Sequence, residues 1–194
     1  MKKGRFSILL VFLFSIIISS VAYADFAERP AAFVVFDRSG NVTASVLKIW
    51  QQPVKWAYHF PDFKVVDNAK AKQTAAEEIF STKGKPFVDA AVMERIAQKA
   101  ELEALVLVIV DELDENMVQR GLFSFGFEDA SDYLIESTID ADIFLYRRDG
   151  ARLLHKRVFE HELEPQGNQL DVVDTMKWAI CKLINTMEGR PIIH

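Results

Sequence analysis

Cysteine is almost missing from this 194-residue chain, which contains Cys181 alone. A disulfide within the chain is therefore excluded. Cys181 lies in the apolar stretch MKWAICKLINTM, where a small buried side chain is the expected role and a reactive thiol is the alternative.

Glycine and proline are also scarce, with 8 and 6 residues. Flexible linkers are rich in such residues, and the sequence also has no internal repeat. No linker or repeat therefore divides the chain after residue 24. We expect residues 25–194 to form a single domain that is long enough to bury an ordinary core.

Clusters of basic residues are missing as well. The first 24 residues carry three of the 23 Lys and Arg residues and no acidic residue, which leaves 20 basic against 28 acidic residues and a net charge of −8. Phosphate backbones and anionic lipids bind clustered positive charge. We therefore expect neither nucleic acid nor a membrane surface as a partner.

The usual enzyme motifs are not found either. The sequence has no Gly-x-Ser-x-Gly turn, and KGKPF lacks the rest of a phosphate-binding loop. His155 and His161 share a predicted strand, but at ~3.3 Å per residue they stand ~20 Å apart, too far to share one zinc ion. His59 and His194 have no ligand companions at suitable spacing, so we expect no metal site, no catalytic residues and no cofactor.

The first 24 residues, by contrast, carry a clear pattern. Basic residues precede an apolar run at 6–21, and Ala22-Tyr23-Ala24 follows. This order is typical of a secretory signal peptide that is cleaved after Ala24, which places the mature protein in the periplasm or outside the cell. The alternative is an uncleaved anchor, because the run is near the lower limit for spanning a bilayer. After cleavage we expect no stable membrane insertion.

The first half of the remaining chain alternates short apolar runs with helical patterns. AAFVVFDRSG and DFKVVDN are typical of strands that end in turns. Apolar spacing predicts a helix from Val46 that Pro53 interrupts, a helix around 71–80, and a third helix that Asp89 caps. The run at 104–110 is apolar at every position and predicts a central strand covered on both faces.

The second half predicts a long hairpin. Residues 133–147 and 151–163 alternate apolar and polar positions on either side of the turn residues Asp149-Gly150. A final helix ends at Gly189. The element order predicts a single α/β domain with a mixed sheet, antiparallel strands at its edge, and helices packed on it.

These elements resemble a known family. AAFVVFDRSG, FPDFKVVDNAKAKQ, DAAVMERIAQKAELEALVLV and ADIFLYRRDGARLLHKR are similar in pattern to the small α/β domain at the amino end of TolB and in CsgG and LpoB. The similarity covers nearly all of residues 25–194. It implies an exported protein that binds other envelope proteins. The propeller of TolB and the lipidated cysteine of CsgG and LpoB have no counterpart here, and no site residue carries over.

An alternative function comes from FVVFDRSGNVT, which resembles the nucleophile motif of the haloacid dehalogenase family. Asp37 fits the aspartate that attacks phosphorus, but Ser39 stands where the family has its acid/base aspartate. Asp111 and Asp114 could complete a Mg²⁺ site with Asp37 if the three meet at the carboxyl ends of parallel strands. The alternative is therefore an exported Mg²⁺-dependent phosphohydrolase that uses Asp37.

Carboxylates follow the apolar run closely, within residues 111–115. Several like charges are inexpensive only in water, so we expect the strand to leave the core there, with the carboxylates in solvent.

The segment from 114 to 132 is long for a connection inside a compact domain. Phe123, Phe125 and Phe127 alternate with other residues, so their rings share one face if the segment is extended. One interpretation is an extra strand that completes the core, and the other is an exposed patch that binds a partner.

These observations favour an exported, non-enzymatic accessory domain that binds another cell-envelope protein. Phe123, Phe125 and Phe127 are the candidate partner-binding residues.

Overall fold

The structure is a computed structural model that describes residues 29–37, 50–52, 54–55, 63–66, 69–80, 86–119, 133–165 and 172–191. The strands are β1 (Arg29–Asp37), β2 (Phe63–Val65), β3 (Ala104–Gln119), β4 (Tyr133–Arg147) and β5 (Arg152–Pro165). The helices are α1 (Ala69–Phe80), α2 (Ala90–Lys99) and α3 (Val172–Glu188).

The five strands form one sheet in the order β2-β1-β3-β4-β5. β1 pairs in parallel with both β2 and β3, whereas β3, β4 and β5 pair antiparallel. This arrangement confirms the predicted α/β fold with a mixed sheet and a long hairpin at one side.

One face of the sheet packs against α3 and is called the α3 face. Alternate residues of the central strands are buried on it, because successive side chains of a strand point to opposite faces. They meet a buried stripe of α3 at Met176, Ile180, Leu183, Ile184 and Met187. The sheet side of this core contains Phe33, Val35, Val106, Val108, Ile139, Ala141, Ile143 and Leu145.

The opposite face packs against the first two helices and is called the α1–α2 face. Its core contains Val34, Phe36, Leu105, Leu107, Phe144, Tyr146, Ile79, Met93 and Ile96. The Asp89 side chain accepts a hydrogen bond from the Val92 amide at 2.7 Å, which confirms the predicted cap of α2. Because β3 supplies apolar residues to both cores, it is the central strand that the run at 104–110 predicts.

Glycines end two elements as predicted. Gly150 adopts a φ of 81° in the turn between β4 and β5, and the turn is closed by a hydrogen bond from the Ala151 amide to the Arg148 carbonyl at 3.1 Å. Gly189 follows the last residue of α3 with a φ of 66°. Both values lie in the left-handed region, which glycine adopts without the steric cost of a Cβ atom.

β3 is longer than the apolar run that predicts it. The strand continues through residues 111–115 to Gln119, with a bulge between Val110 and Glu112. Pairing with β4 satisfies the backbone groups on one side of this part of β3, and such pairing does not require apolar side chains. The prediction that the strand leaves the core here is confirmed, since Glu112, Asp114 and Glu115 are exposed.

A single row of the sheet marks this change. Asp37, Val110, Ala141 and Val158 stand in register across β1, β3, β4 and β5. Beyond that row β1 has ended and three antiparallel strands continue. We call this part, formed by residues 111–119, 133–140 and 159–165, the distal sheet.

The proposed signal segment 1–24 lies outside the described residues. So do Pro53 and the start of the helix expected from Val46. Within the described ranges, no helix combines the length and the apolar character that crossing a membrane requires.

Candidate functional site

In the distal sheet and directly next to it, β4 and β5 place charged and aromatic side chains on the continuation of the α1–α2 face. Alternation along each strand puts Thr138, Asp140 and Asp142 of β4 on this face, next to the β5 residues that stand opposite them. The opposite residues are His161, Phe159 and Arg157. β5 is the last strand of the sheet on this side, so these residues lie at its border.

Asp140 and Arg157 form a two-hydrogen-bond ion pair in this region. The guanidinium donates two hydrogen bonds to the carboxylate, from Nε at 2.8 Å and from Nη2 at 2.5 Å. These hydrogen bonds and the charge of Asp140 raise the pKa of Arg157, and the charges of Asp142 and Asp111 add to the effect. Asp140 is only 9% exposed, so the pair compensates a charge that would be costly to bury alone.

His155 lies on β5 two residues before Arg157 and on the same face of the sheet. Its Nε2 lies 2.6 Å from Oδ1 of Asp142. Its ring stacks on Phe144, with centroids 4.4 Å apart and planes inclined by 8°. The two contacts fix the ring between a carboxylate and the aromatic border of the core.

In the distal sheet, Thr138, His161 and Glu136 place a hydroxyl, an imidazole and a carboxylate next to one another. Oγ1 of Thr138 lies 2.9 Å from Nδ1 of His161, and Nε2 of His161 lies 3.6 Å from Oε1 of Glu136. An acyl-transfer triad has the same three groups, but its hydroxyl must reach a substrate carbonyl. Thr138 is only 8% exposed, so we assign these residues a cross-strand structural role.

Large apolar side chains remain exposed in the distal sheet. Phe159 is 64% exposed and Leu163 is 50% exposed, and both lie on the α1–α2 side of β5. Met117 of β3 is 67% exposed and belongs to the opposite side. Exposed apolar residues in one patch are a feature of binding surfaces. Phe159 and Leu163 are therefore the residues of β5 that best fit contact with a partner.

The structure places the three aspartates of the phosphohydrolase hypothesis on two strands. Asp37 is the last residue of β1. It stands opposite Val110 of β3, and Val110 directly precedes Asp111 in the sequence. Asp114 lies ~10 Å further along β3, opposite Thr138 and beyond the end of β1.

No metal site results from this placement in the part of the chain that the structure describes. Those residues contain no group of three or more His, Cys, Asp or Glu side chains placed to hold an ion. Ser39 of the motif lies outside the described residues. The phosphohydrolase hypothesis therefore stays a prediction.

Two other predicted features can be located. Phe123, Phe125 and Phe127 lie outside the described residues, so their role stays a prediction. Cys181 is half-buried in α3, and burial raises the pKa of its thiol above the ordinary value. A raised pKa keeps the thiol protonated, which fits a packing role better than a nucleophilic one.

Sequence reasoning missed the residues that form this surface. Asp140, Asp142, His155 and Arg157 are recognisable only once the hairpin register is known. The turn at Asp149-Gly150 contains that signal, because strands counted outward from it pair Arg147 with Arg152 and Asp142 with Arg157. Opposite charges at facing positions of a hairpin predict cross-strand pairs.

No family model matches the chain, and no curated protein matches it in sequence. Solved structures resemble its fold. Lipoprotein GNA1162 from Neisseria meningitidis is 10% identical, with 83% of this chain and 99% of that chain covered and a TM-score of 0.38. The PelC dodecamer from Paraburkholderia phytofirmans is 8% identical, with 86% and 91% covered and a TM-score of 0.43.

The LpoB C-terminal domain from Salmonella enterica is 9% identical, with 75% of this chain and 93% of that chain covered and a TM-score of 0.32. The LpoB domain that the sequence patterns resemble is thus also one of the structures that this fold resembles.

Proposed function

We propose that this protein is an exported, non-enzymatic domain of the cell envelope that binds another protein through the outer edge of β5. The observation that carries the proposal is the position of β5. It is a 14-residue strand at the end of the sheet, and it exposes Phe159 and Leu163 along its length.

An edge strand has a row of backbone N–H and C=O groups that no neighbouring strand satisfies. An extended segment of a partner can add to such an edge as a further strand, with its side chains contacting the residues beside the edge. Within the described residues, the outer side of β5 has no paired strand. Backbone pairing would supply affinity, and Phe159 and Leu163 would supply apolar contact.

The second edge of the distal sheet is less suited to this role. Beyond Asp37 the outer side of β3 begins with a bulge at Asp111 and continues with Glu112, Asp114 and Glu115. Bulges are one of the features by which natural sheets prevent pairing at an edge, and the described pairing of β5 with β4 contains none. This contrast supports β5 as the binding edge.

The polar residues beside β5 support a binding role in a different way. Asp140 is paired with Arg157, and Asp142 is paired with His155. A general acid or base needs a proton-accepting group that is free to meet a substrate. These pairs instead hold a fixed surface of charge and aromatic rings. Export is supported by the signal-peptide pattern of residues 1–24.

A photo-crosslinking residue at position 163 tests this function. We expect benzoylphenylalanine at Leu163 to give a covalent adduct with a protein in cells that produce the full sequence. The matched control carries the same residue at Lys72, an exposed position of α1 on another surface. Adducts that are absent at Leu163, or equally abundant at Lys72, would contradict binding through β5.

The non-enzymatic part of the proposal has its own test. A phosphohydrolase would release nitrophenol from p-nitrophenyl phosphate with Mg²⁺, and Asp37→Asn would abolish the release. We expect no such Mg²⁺-dependent release from the unsubstituted protein.

A further inference from the structure

We infer that the strand which pairs with β5 is β5 of a second copy of this chain, in antiparallel orientation. This inference rests on the proposed function, since it names the partner of the same edge. The result would be a symmetric dimer with one sheet that continues through both copies.

Charge along β5 is divided into two halves. The half from residue 152 to residue 157 contains Arg152, Lys156 and Arg157, and the half from 160 to 164 contains Glu160, Glu162 and Glu164. An antiparallel partner strand of the same sequence sets the basic half of each copy against the acidic half of the other. A parallel partner would set like charges side by side, which is unfavourable for directly opposite residues.

The register centred on Val158 gives the best match on the α3 face. In that register Lys156 faces Glu160 of the second copy, and Arg152 faces Glu164 of the second copy. The two-fold axis is perpendicular to the sheet, so each pair occurs twice and its members lie on the same face. A dimer interface of this kind is self-complementary and closed, because the outer edge of β5 is covered in both copies.

The same register also covers the exposed apolar residues on the α1–α2 face. It sets Arg157 beside Phe159 of the second copy and Leu153 beside Leu163 of the second copy. A guanidinium near an aromatic ring is an attractive pair, and two leucines remove each other from water. Phe159 and Leu163 therefore gain a partner in the arrangement that also aligns the charges.

Charge reversal at one pair gives a sharp test. Lys156→Glu and Glu160→Lys each place two like charges opposite each other in a homodimer. In an equal mixture of the two variants, every such pair is again of opposite sign. Lys72→Glu on α1 changes the net charge by the same amount as Lys156→Glu without touching β5.

Analytical ultracentrifugation at moderate salt is the measurement. We expect the unsubstituted chain and Lys72→Glu to sediment with twice the mass of one chain. Each β5 variant alone should dissociate at least tenfold more readily, and the mixture should recover the dimer. A monomeric unsubstituted chain, or a mixture that fails to recover association, would overturn the inference.

The crosslinking residue at Leu163 separates this inference from the proposed function. An adduct with twice the mass of the chain supports self-pairing. An adduct of another mass overturns self-pairing but leaves the binding role of β5 in place. The absence of any adduct contradicts both, and it does so independently of the sedimentation result.

Discussion

The guanidinium of Arg147 on β4 lies 4.4 Å from the ring centroid of Phe63 on β2. The same group donates hydrogen bonds to Asp149 at 2.9 and 2.5 Å and to Glu188 at the end of α3. Burial acts to lower the pKa of Arg147, but its hydrogen bonds to Asp149 and Glu188 outweigh burial and raise it. One side chain thus joins β2, the hairpin turn and the last helix.

Replacing this arginine should destabilise the fold. The Arg147 side chain is 11% exposed and that of Glu188 is 14% exposed, so Arg147→Ala leaves a carboxylate shielded from water without its partner. We expect the free energy of unfolding to fall by about 3 kcal/mol, measured in a denaturant titration.

Arg148→Ala is the matched control for that variant. Among the residues that the structure describes, the Arg148 side chain forms long ion pairs at the surface, to Glu94 at 4.0 Å and to Glu103 at 3.6 Å. Its replacement should change stability by no more than about 0.5 kcal/mol. Equal losses for the two variants would show that Arg147 has no special structural role.

Tyr146 makes stability depend on pH in the alkaline range. Its side chain is fully buried against α2 and its hydroxyl donates to Glu94. Burial and then the hydrogen bond to Glu94 raise the pKa of Tyr146 to about 12. The pKa of Tyr146 in the folded protein lies above the ordinary value of ~10. The protonated hydroxyl therefore contributes fully to the free energy of unfolding below pH ~10, and this contribution is lost as the pH rises to ~12.

A near-ultraviolet absorbance titration checks this expectation. The native protein should show one tyrosine that ionises later than the others, and Tyr146→Phe should remove that late phase. The same variant should also lose part of the decline in stability between pH ~10 and ~12. If Tyr146→Phe leaves the titration unchanged, the hydroxyl is accessible to water and the assignment is wrong.

Turn residues and hydrophobic patterns predicted which strands are present better than they predicted where those strands end. The turn at Asp149-Gly150 and the alternation around it were sufficient for the hairpin, and the apolar run at 104–110 was sufficient for a central strand. The extension of β3 to Gln119 could not be predicted from hydrophobicity, because backbone pairing with β4 does not depend on apolar side chains.

The candidate site was harder to predict than the fold. The alternation of apolar and polar residues in 151–163 does not distinguish an inner strand from an edge strand, because the side chains of both kinds of strand alternate between the two faces of the sheet. In the described sheet β5 has no further neighbour, and Phe159 on this strand is 64% exposed. Tertiary arrangement therefore decides which apolar residues of the hairpin are available to a partner.

Export predicts a definite amino terminus. Mass spectrometry of the protein recovered from outside the inner membrane should show a chain that starts at Asp25 and has one free thiol, at Cys181. Residues 1–24 retained in that material would instead identify an uncleaved anchor.

Phe125 separates the two interpretations of the aromatic segment. If the ring fills the core, Phe125→Ala should lower the free energy of unfolding by about 3–5 kcal/mol. If the ring is exposed for a partner, the change should stay within about 0.5 kcal/mol. A denaturant titration decides between them, and a large loss would exclude docking at that residue.

Phe159 and Val158 give the most direct test of the β5 surface, because they are neighbours on opposite faces of one strand. Val158 is 5% exposed and belongs to the core beneath α3, so Val158→Ala should cost about 2 kcal/mol of stability through lost burial and a small cavity. Phe159 is 64% exposed, so Phe159→Ala should leave the stability of the dilute protein within about 0.5 kcal/mol.

Their effects on association should have the opposite order. At a concentration where the unsubstituted chain is associated, Phe159→Ala should weaken the complex more than Val158→Ala, because exposed aromatic anchors contribute strongly to interfaces. Sedimentation and denaturant titration on the same two variants measure both quantities. A Phe159→Ala variant that loses stability in dilute solution but keeps its association would show that the ring supports the fold and that β5 binds without it.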